Sequence, residues 1–218
     1  MIRTHGLRYK YPAGPQLAFR DVELARGGVL LLQGRSGSGK STWLSLVAGL
    51  LTPTQGDVEV AGQALAALSR GARDAWRARS VGFLPQKLHL SEALTVRANL
   101  ALAFYAAGLP EDGARIDEVL ARLGVGEVAR RKPSQLSGGQ AQRVALARSI
   151  LMNPRVLLAD EPTASLDDEA AAASLELLRE VAQACGASLV VATHDVRVRN
   201  ALADAVVYRL DATEPVAA

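Results

Sequence analysis

Cysteine is nearly absent from the sequence, since Cys185 is the only one among 218 residues. A lone cysteine excludes a disulfide framework within the chain and favours a reducing compartment. The amino-terminal stretch MIRTHGLRYKYP is polar, so we expect no secretion signal there. Long hydrophobic runs are missing too, because the best candidate, Trp43–Leu51, is too short to cross a bilayer and contains Ser45 and Gly49. The sequence therefore predicts a chain that does not itself cross a membrane.

Aromatic residues are also scarce, at 4% of the chain, and they do not accompany the basic residues. The formal net charge of +3 would by itself allow nucleic-acid binding. The arginines are, however, interleaved with acidic residues, and clusters such as Arg130-Arg131-Lys132 are short enough to be solvated surface. Because this pattern lacks an aromatic stacking platform, no nucleic-acid partner is expected.

The sequence contains no internal repeat and no low-complexity linker, which favours a single domain over residues 1–218. Residues 2–11 and 17–25 alternate apolar and polar side chains and predict two antiparallel strands. Downstream, short continuous apolar runs alternate with helical patterns, as expected of parallel strands buried on both faces. Buried strands are predicted at Val29–Gln33 and Val81–Pro85, and further strands at Val156–Asp160, Ser188–Thr193 and Ala205–Leu210. The expected fold is α/β, with a mostly parallel sheet covered by helices and an amino-terminal antiparallel β portion.

Residues 87–135 differ from the sequence on either side because they lack buried-strand runs. Their apolar residues recur with helical spacing in Thr95–Ala107 and Ala114–Leu123. We therefore expect an inserted helical subdomain at 87–135 between two parts of one core, 1–86 and 136–218. The other predicted helices are Ser41–Leu50, Arg73–Arg79, Gly139–Met152, Asp168–Ala184 and Val196–Ala203.

A glycine-rich segment, Gly34–Ser41 (GRSGSGKS), stands between a predicted buried strand and a predicted helix. This is the context in which the pattern G-x-x-x-x-G-K-[ST] forms a phosphate-binding loop. The glycines let backbone N–H groups curl around phosphate oxygens, and the helix directs its partial positive charge at the same anion. Lys40 is expected to reach the β- and γ-phosphates, and Ser41 to ligate Mg²⁺. The residues predicted to bind ATP here are Gly34, Arg35, Ser36, Gly37, Ser38, Gly39, Lys40, Ser41 and Thr42.

The predicted strand Val156–Asp160 ends in two consecutive carboxylates, those of Asp160 and Glu161. Beside a phosphate loop, Asp160 is expected to hold Mg²⁺ directly or through water. Glu161 points in a different direction and is the candidate general base for an attacking water. An alternative role for Glu161 is to polarise or position that water without removing its proton. Together these features indicate a P-loop nucleotide hydrolase.

Residues Leu136–Gln140 (LSGGQ) lie between the phosphate loop and the acidic strand end. These three elements in this order resemble the ATP-binding-cassette (ABC) ATPases. The resemblance covers essentially the whole chain and implies a P-loop NTPase-type fold that uses ATP and Mg²⁺. It also implies a head-to-tail homodimer, in which the signature of one subunit contacts the γ-phosphate held by the other. The residues that would make this contact in trans are Ser137, Gly138, Gly139 and Gln140.

The resemblance assigns roles to further residues. Gln86 matches the Q-loop residue that contacts Mg²⁺ or the attacking water, and His194 matches the switch histidine that contacts the γ-phosphate. Asp167 lies in a match to the D-loop and is expected at the dimer interface, with capping of the next helix as the alternative. Tyr11 is the expected adenine-stacking residue, and Tyr9 is its rival. The predicted catalytic residues are Glu161, His194, Lys40 and Gln86, and the predicted metal ligands are Ser41, Gln86 and Asp160.

The segment Val81–Leu90 (VGFLPQKLHL) is similar to the compact ATPases of lipoprotein-release, macrolide-export and FtsE-like systems. This similarity implies a separate integral membrane permease and a peripheral position on the cytoplasmic face of a bacterial inner membrane. Leu88, Leu90 and Leu94 are expected either to form an apolar groove for a permease helix or to belong to the core of the helical subdomain. The competing hypothesis is a soluble ABC ATPase that acts in assembly or on nucleic acid without a membrane partner.

Overall fold

The computed structural model describes residues 1–164 and 166–210, so Ser165 of the predicted D-loop lies outside the described residues. Within these ranges the strands are β1 (Ile2–Lys10), β2 (Gln16–Ala18), β3 (Val22–Leu24), β4 (Val29–Gly34), β5 (Gln55–Val60), β6 (Gln63–Ala64), β7 (Val81–Leu84), β8 (Val156–Asp160), β9 (Ser188–Thr193) and β10 (Val206–Leu210). The α-helices are α1 (Lys40–Val47), α2 (Arg70–Ser80), α3 (Val96–Ala107), α4 (Gly113–Arg122), α5 (Gly138–Ile150), α6 (Asp168–Ala184) and α7 (Val196–Ala201). None of the helices in these ranges is long and apolar enough to cross a membrane.

Strands β10, β4, β9, β8 and β7 lie side by side in that order, and each runs parallel to its neighbours. All residues of β8 and β9 are buried, which explains why their sequences are continuously apolar rather than alternating. The predicted parallel sheet is confirmed, and β8 and β9 have the predicted bounds. The α/β fold class follows from this sheet and the helices that cover it.

The amino-terminal strands form a second, antiparallel sheet, in which β1 pairs with β2, β3 and β5. The prediction of one strand over residues 17–25 is wrong, because this segment forms β2 and β3 with a break between them. The cause lies in β1, where Gly6 has a φ of 56° and the register to β5 shifts beside it. At the break, the N–H of Phe19 donates to the carbonyl oxygen of Leu7 (2.9 Å), and Asp21 accepts from the N–H of Gly6 (2.7 Å).

The carboxyl ends of three neighbouring parallel strands meet at one edge of the sheet. Gln33 of β4 is in register with Thr193 of β9, and Ala192 of β9 is in register with Asp160 of β8. The glycine-rich segment follows β4, the acid pair ends β8, and His194 follows β9. Ligands of open α/β sheets bind at this edge, so the topology gathers the predicted chemical groups where a ligand is expected.

Apolar residues fill both faces of the parallel sheet. Leu30 of β4 belongs to one buried cluster together with Trp43 of α1 and residues of the antiparallel sheet. Leu31, the next residue, belongs to the other cluster together with Leu100 of α3 and Val144 of α5. Since successive residues of a strand point to opposite faces, the two clusters lie on opposite sides of the sheet. Helix α1 is therefore anchored between the two sheets, and α5 is anchored on the opposite face.

Helices α3 and α4 have the capping residues that the sequence around them suggests. Thr95 and Asp112 each accept a hydrogen bond from the N–H three residues on, at 3.2 and 2.9 Å, and α3 ends at Gly108 with a φ of 65°. Leu88 and Leu90 are partly buried against the core that these helices share with α5. This packing favours the core role for these two leucines over the apolar groove. The subdomain boundaries stay a prediction.

Gly82 in β7 allows α5 to lie directly against the sheet, because a Cβ at this position would overlap the carbonyl oxygen of Ser149. We expect Gly82→Ala to lower the free energy of unfolding by about 1–3 kcal/mol, the usual penalty of overpacking. Urea denaturation followed by circular dichroism measures this change.

The matched control is Gly71→Ala at the start of α2, where a Cβ would meet no atom within 4 Å. Its free energy of unfolding should rise by up to about 1 kcal/mol, because alanine favours the helix more than glycine does. A Gly82→Ala protein as stable as the wild type would contradict the close approach of β7 and α5.

Candidate active site

The glycine-rich segment between β4 and α1 turns sharply and leaves little room for side chains. Gly39 precedes α1 with a φ of 97°, a conformation that a side chain would strain, and a Cβ at Gly34 would overlap Ser38 Oγ. The hydroxyl of Ser38 is buried and has no hydrogen-bond partner within the described residues. No described side chain caps α1. Its first N–H groups therefore remain available to an anion, as a phosphate loop requires.

Lys40 begins α1, and its side chain is folded back into the loop with only 7% of its surface exposed. Its Nζ donates to the carbonyl oxygens of Gly34 (2.8 Å) and Arg35 (3.3 Å). The same atom lies 3.3 Å from Oε1 of Glu161. The ammonium thus joins the loop to the acidic end of β8, and a phosphate that draws Lys40 away must compete with these three contacts.

Asp160 is buried, and its Oδ1 atom has no hydrogen-bond partner in the described part of the chain. Burial raises the pKa of this carboxyl, while its hydrogen bond with Ser41 acts in the opposite direction. A divalent cation would satisfy the orphaned oxygen and favour the charged carboxylate. The described residues contain no cluster of three His, Cys, Asp or Glu side chains that could hold a metal. The buried carboxylate beside the Ser41 hydroxyl fits Mg²⁺, because this ion takes one or two carboxylates together with hydroxyl, water and phosphate oxygens.

Gln86 lies on the exposed segment after β7 and borders a cavity of about 180 Å³. Asp160, Glu161 and Gly138 border the same cavity. The predicted Q-loop residue, the acid pair and the first residue of α5 therefore border one cavity. Contact between Gln86 and a bound ion stays a prediction.

Glu161 is held by contacts from both sides of the sheet edge. Its φ of 47° is unusual for a residue with a side chain, and its N–H donates to the carbonyl oxygen of Ala192 (2.8 Å). Oγ1 of Thr193 donates to Oε2 of Glu161 (2.8 Å), and Nδ1 of His194 lies 2.8 Å from Oε1. With Lys40 on the other side, the carboxylate is the meeting point of the groups predicted to handle the γ-phosphate.

The pKa of Glu161 reflects opposing effects. Burial raises the pKa. The hydrogen bonds from His194 and Thr193 and the positive charge of Lys40 lower it by more than burial raises it, so the pKa lies below its ordinary value. Glu161 is therefore ionised at neutral pH but is a weak base while these partners stay in place. The side chain of His194 is 65% exposed. Departure of Lys40 and His194 would raise the pKa and strengthen the base.

Tyr11 lies beside the start of α1, since its hydroxyl is 2.8 Å from Oγ1 of Thr42. Tyr11 is 39% exposed, whereas Tyr9 is more buried, packs against the core and meets Tyr11 edge-on at a centroid distance of 4.8 Å. An exposed ring beside the phosphate loop is the better platform for a base. The placement favours Tyr11 over Tyr9, and adenine stacking itself stays a prediction.

Ser137 and Gln140 form a capping box at the start of α5. The hydroxyl of Ser137 accepts from the N–H of Gln140 (3.2 Å), and the side-chain oxygen of Gln140 accepts from the N–H of Ser137 (3.0 Å). Between them, Gly138 and Gly139 have no left-handed backbone, and a Cβ on either would meet nothing within 4 Å. Among residues 1–164 and 166–210, neither the backbone nor the packing requires glycine at these two positions.

Asp167 caps α6, because its Oδ1 accepts from the N–H of Ala170 (2.8 Å). The alternative role that the sequence suggested for Asp167 is therefore observed. A role at a dimer interface is compatible with this cap and stays a prediction.

Several residues that the sequence did not single out connect the site to its surroundings. Gln142 in α5 donates Nε2 to a carbonyl oxygen just beyond Glu161 (2.6 Å). Thr163 donates its hydroxyl to Asp195 (2.8 Å), and Arg197 pairs with the same aspartate. In the sequence, these residues are marked only by their nearness to the acid pair or to His194. Arg197 is one of 25 lysines and arginines, and no spacing pattern distinguishes it from the others.

Comparison with known proteins decides the family. The family described as ABC transporter matches residues 20–164. The chain belongs to this family.

The chain is 41% identical over 206 residues to the lipoprotein-releasing system ATP-binding protein LolD of Anaeromyxobacter dehalogenans, covering 91% of this chain and 86% of LolD. It is 39% identical to the methionine import ATP-binding protein MetN of Cupriavidus metallidurans, covering 94% of this chain and 61% of MetN. It is 37% identical to the macrolide export ATP-binding/permease protein MacB 1/2 of Paracoccus denitrificans, of which it covers 30%.

Solved ATP-binding cassettes have the same fold. The cassette MJ0796, in a dimeric post-hydrolysis state bound to ADP and Pi, superposes with a TM-score of 0.82 at 30% identity, covering 92% of this chain and 91% of that one. CbiO1 from Clostridium perfringens, part of the transporter complex cbiONQ, gives a TM-score of 0.78 at 31% identity, covering 89% of this chain and 78% of that one. The predicted family and P-loop fold are confirmed, and the chain is an ATP-binding, ATP-hydrolysing enzyme.

The geometry predicts that Glu161 competes with nucleotide for Lys40 and His194. Glu161→Gln removes the negative charge, so we expect a non-hydrolysable ATP analogue to bind roughly 2- to 10-fold more tightly, about the worth of one hydrogen bond. ATP turnover should fall by roughly 10²–10⁴-fold, because an amide is not a general base. Isothermal titration calorimetry and a phosphate-release assay measure the two effects.

The control variant is Glu180→Gln, which makes the same change at an exposed position of α6. It should leave both affinity and turnover unchanged. Weaker or equal binding by Glu161→Gln would contradict the competition, and near-normal turnover would contradict the base assignment.

Proposed function

We propose that the chain is the ATP-hydrolysing subunit of an ABC transporter and works as a head-to-tail homodimer. Each ATP, with Mg²⁺, would lie between the phosphate loop of one copy and residues Ser137–Gln140 of the other. The observation that carries this proposal is the exposed pair Gly138 and Gly139, which the fold of a single chain does not require. The dimeric structures of the similar cassette MJ0796 support a dimer.

The start of α5 has the properties of an anion site. Its first turn presents backbone N–H groups and the positive end of the helix dipole, and side-chain-free glycines let a phosphate approach them closely. The chain already has one such site at the start of α1. One bound triphosphate needs only one such site. The second site, at the start of α5, would instead complete the ATP site of another copy.

Within each copy, the residues at the sheet edge would bind the triphosphate and stack its base. Lys40 would hold the β- and γ-phosphates, and Tyr11 would lie against the adenine. Asp160, Ser41 and Gln86 would hold Mg²⁺, which supplies positive charge to the phosphate oxygens and orients them.

Exchange of partners at Glu161 would then prepare the attacking water. When Lys40 and His194 move to the γ-phosphate, Glu161 loses the contacts that lower its pKa and becomes a stronger base. The base is therefore strong only when the triphosphate is present. Hydrolysis removes the group that both copies share, so the closed dimer loses its differential contacts and reopens.

The homodimer predicts a specific effect of Ser137→Arg. The added side chain should fill the space that the partner's γ-phosphate needs, so nucleotide binding to the monomer should persist while ATP-driven dimerisation is lost. Analytical ultracentrifugation with a non-hydrolysable ATP analogue measures dimerisation, and calorimetry measures binding.

Ser69→Arg is the matched control, since Ser69 is also a helix N-cap that accepts from an N–H three residues on. It should lose a similar amount of stability and keep ATP-driven dimerisation. A Ser137→Arg protein that still dimerises with nucleotide would overturn the shared site.

We infer that the partner of the dimer is an integral membrane permease on a separate chain, which places this subunit on the cytoplasmic face of a bacterial inner membrane. Similarity to LolD and to MacB supports this, since their names describe lipoprotein release and macrolide export. The work done would be export, extraction of a lipid or lipoprotein, or mechanical signalling across the membrane. The helical segment 87–135, inserted between core parts 1–86 and 136–218, would carry part of the docking surface.

Purification of the tagged chain from its own membranes in mild detergent is expected to yield an integral membrane permease in a fixed ratio. Lys40→Ala should copurify with the permease equally well, because docking does not use the phosphate loop. Recovery of the chain without a membrane protein, together with salt-sensitive binding to DNA or RNA, would contradict the permease and favour a soluble ABC ATPase.

A further inference from the structure

One arginine joins the loop after β9 to the segment that enters α6. Nη1 of Arg197, in the first turn of α7, donates to the carbonyl oxygen of Leu166 (3.2 Å) and to Oδ1 of Asp168 (2.7 Å). Its Nε and Nη2 atoms contact the carboxylate of Asp195, at 2.9 and 2.7 Å from Oδ2. A single side chain therefore bridges two segments that are 31 residues apart in the sequence.

Asp195 places this bridge directly beside the reactive groups. It follows His194 in the chain, caps α7, and accepts the hydroxyl of Thr163 (2.8 Å) from the segment after β8. The hydrogen bond from Arg197 lowers the pKa of Asp195 to about 2, so the pair stays charged at neutral pH. His194 is thus the immediate neighbour of a residue that is held from two directions.

The ion pair of Arg197 with Asp168 contributes little to stability, because the two side chains are 39% and 92% exposed. The pair with Asp195 is better shielded, since the side chain of Asp195 is 17% exposed and two nitrogen atoms of the guanidinium contact it. An open cavity of about 580 Å³, bordered by Glu161, Thr163, His194 and Arg197 among others, lies between the loop after β9 and the segment that follows β8. Arg197 joins the loop after β9 to residues 166–168 through polar contacts.

We propose that Arg197 is a positioning residue that couples the placement of His194 to the position of the segment 166–168. This inference rests on the proposed homodimer, because the segment contains Asp167, the residue expected at the interface. A second copy that displaces the segment moves the guanidinium, the guanidinium moves Asp195, and His194 shifts with its neighbour. Each active site thereby responds to the presence of its partner copy.

The chemistry of arginine suits this role. Its donors lie in one rigid plane, so contacts made by one edge of the guanidinium constrain the orientation of the other edge. Lysine would keep an ion pair with Asp195 as a point charge but would not hold both segments at once. Arg197→Lys should therefore have an effect between those of the wild type and Arg197→Gln.

The test compares Arg197→Gln with Arg179→Gln. Arg179 makes the same kind of bridge from α6 to the chain around the end of α7, with contacts to the carbonyl oxygen of Ala201 (3.2 Å) and to Asp204 (3.1 Å). Its side chain is 43% exposed, which matches Arg197 closely.

Arg197→Gln should lower kcat for ATP by roughly 2- to 30-fold, the range of coupling effects, and change KM by less than about 2-fold. Arg179→Gln should leave both constants within about 2-fold of the wild type.

A second readout reports the position of His194 itself. The protein has three histidines, so the ring signals are few, and a His194→Gln sample assigns the signal of interest. In the absence of nucleotide, Arg197→Gln should shift the NMR signal of the His194 ring, and Arg179→Gln should not. Arg197→Lys keeps the positive charge near His194, so a shift of the signal in that variant as well reports the position of the ring rather than the loss of a charge.

Three outcomes would overturn the inference: an unchanged kcat in Arg197→Gln, an equal loss of kcat in Arg179→Gln, or an unshifted His194 signal. Failure of the proposed homodimer would be distinguishable, because the wild-type protein would then show no nucleotide-driven dimer in the centrifuge. If the wild type dimerises and Arg197→Gln behaves like it in both readouts, only the role of Arg197 is refuted.

Discussion

The parallel register of β4, β9 and β8 is the constraint on which the site depends. It places the ends of these strands at one edge, and Glu161 turns back there with a φ of 47° while its N–H is bound to β9. A slip of one residue in a strand moves every side chain to the opposite face, so it would separate Glu161 from Thr193 and His194. The catalytic geometry is therefore set by the same apolar burial that pairs the strands.

Positive and hydrogen-bond-donating groups gathered for a phosphate are costly to keep together without an anion. Glu161 supplies that anion within the chain, since Lys40, Thr193 and His194 all contact its carboxylate. The same contacts lower the pKa of Glu161, so the partners that stabilise its carboxylate also make it a weaker base.

Local patterns in the sequence were enough to predict the buried strands, the phosphate loop and most helices, because burial on both faces and glycine spacing leave direct signals. The segment 17–25 was predicted wrongly because its break depends on a bulge at Gly6 in another strand. The contacts of Arg197 and Gln142 were not predicted because they join residues distant in sequence and follow no spacing rule. Residues 137–140 were singled out by family resemblance, and the structure adds that their glycines have no structural reason within one chain.

Helix α5 connects the loop after β7 to residues Ser137–Gln140. Near its carboxyl end, Arg148 donates to the carbonyl oxygens of Leu88 (2.7 Å) and His89 (2.7 Å), in the loop that begins at Gln86, while Ser137 caps its other end. Arg148 and Ser137 are 11 residues apart, about 16 Å along an α-helix, so a tilt of about 5° at the Arg148 end displaces the Ser137 end by about 1.4 Å. Such a displacement exceeds the tolerance of a hydrogen bond to phosphate. In the proposed homodimer, a small shift of the loop after β7 would therefore be enlarged along α5 and would make or break the contact between the two copies.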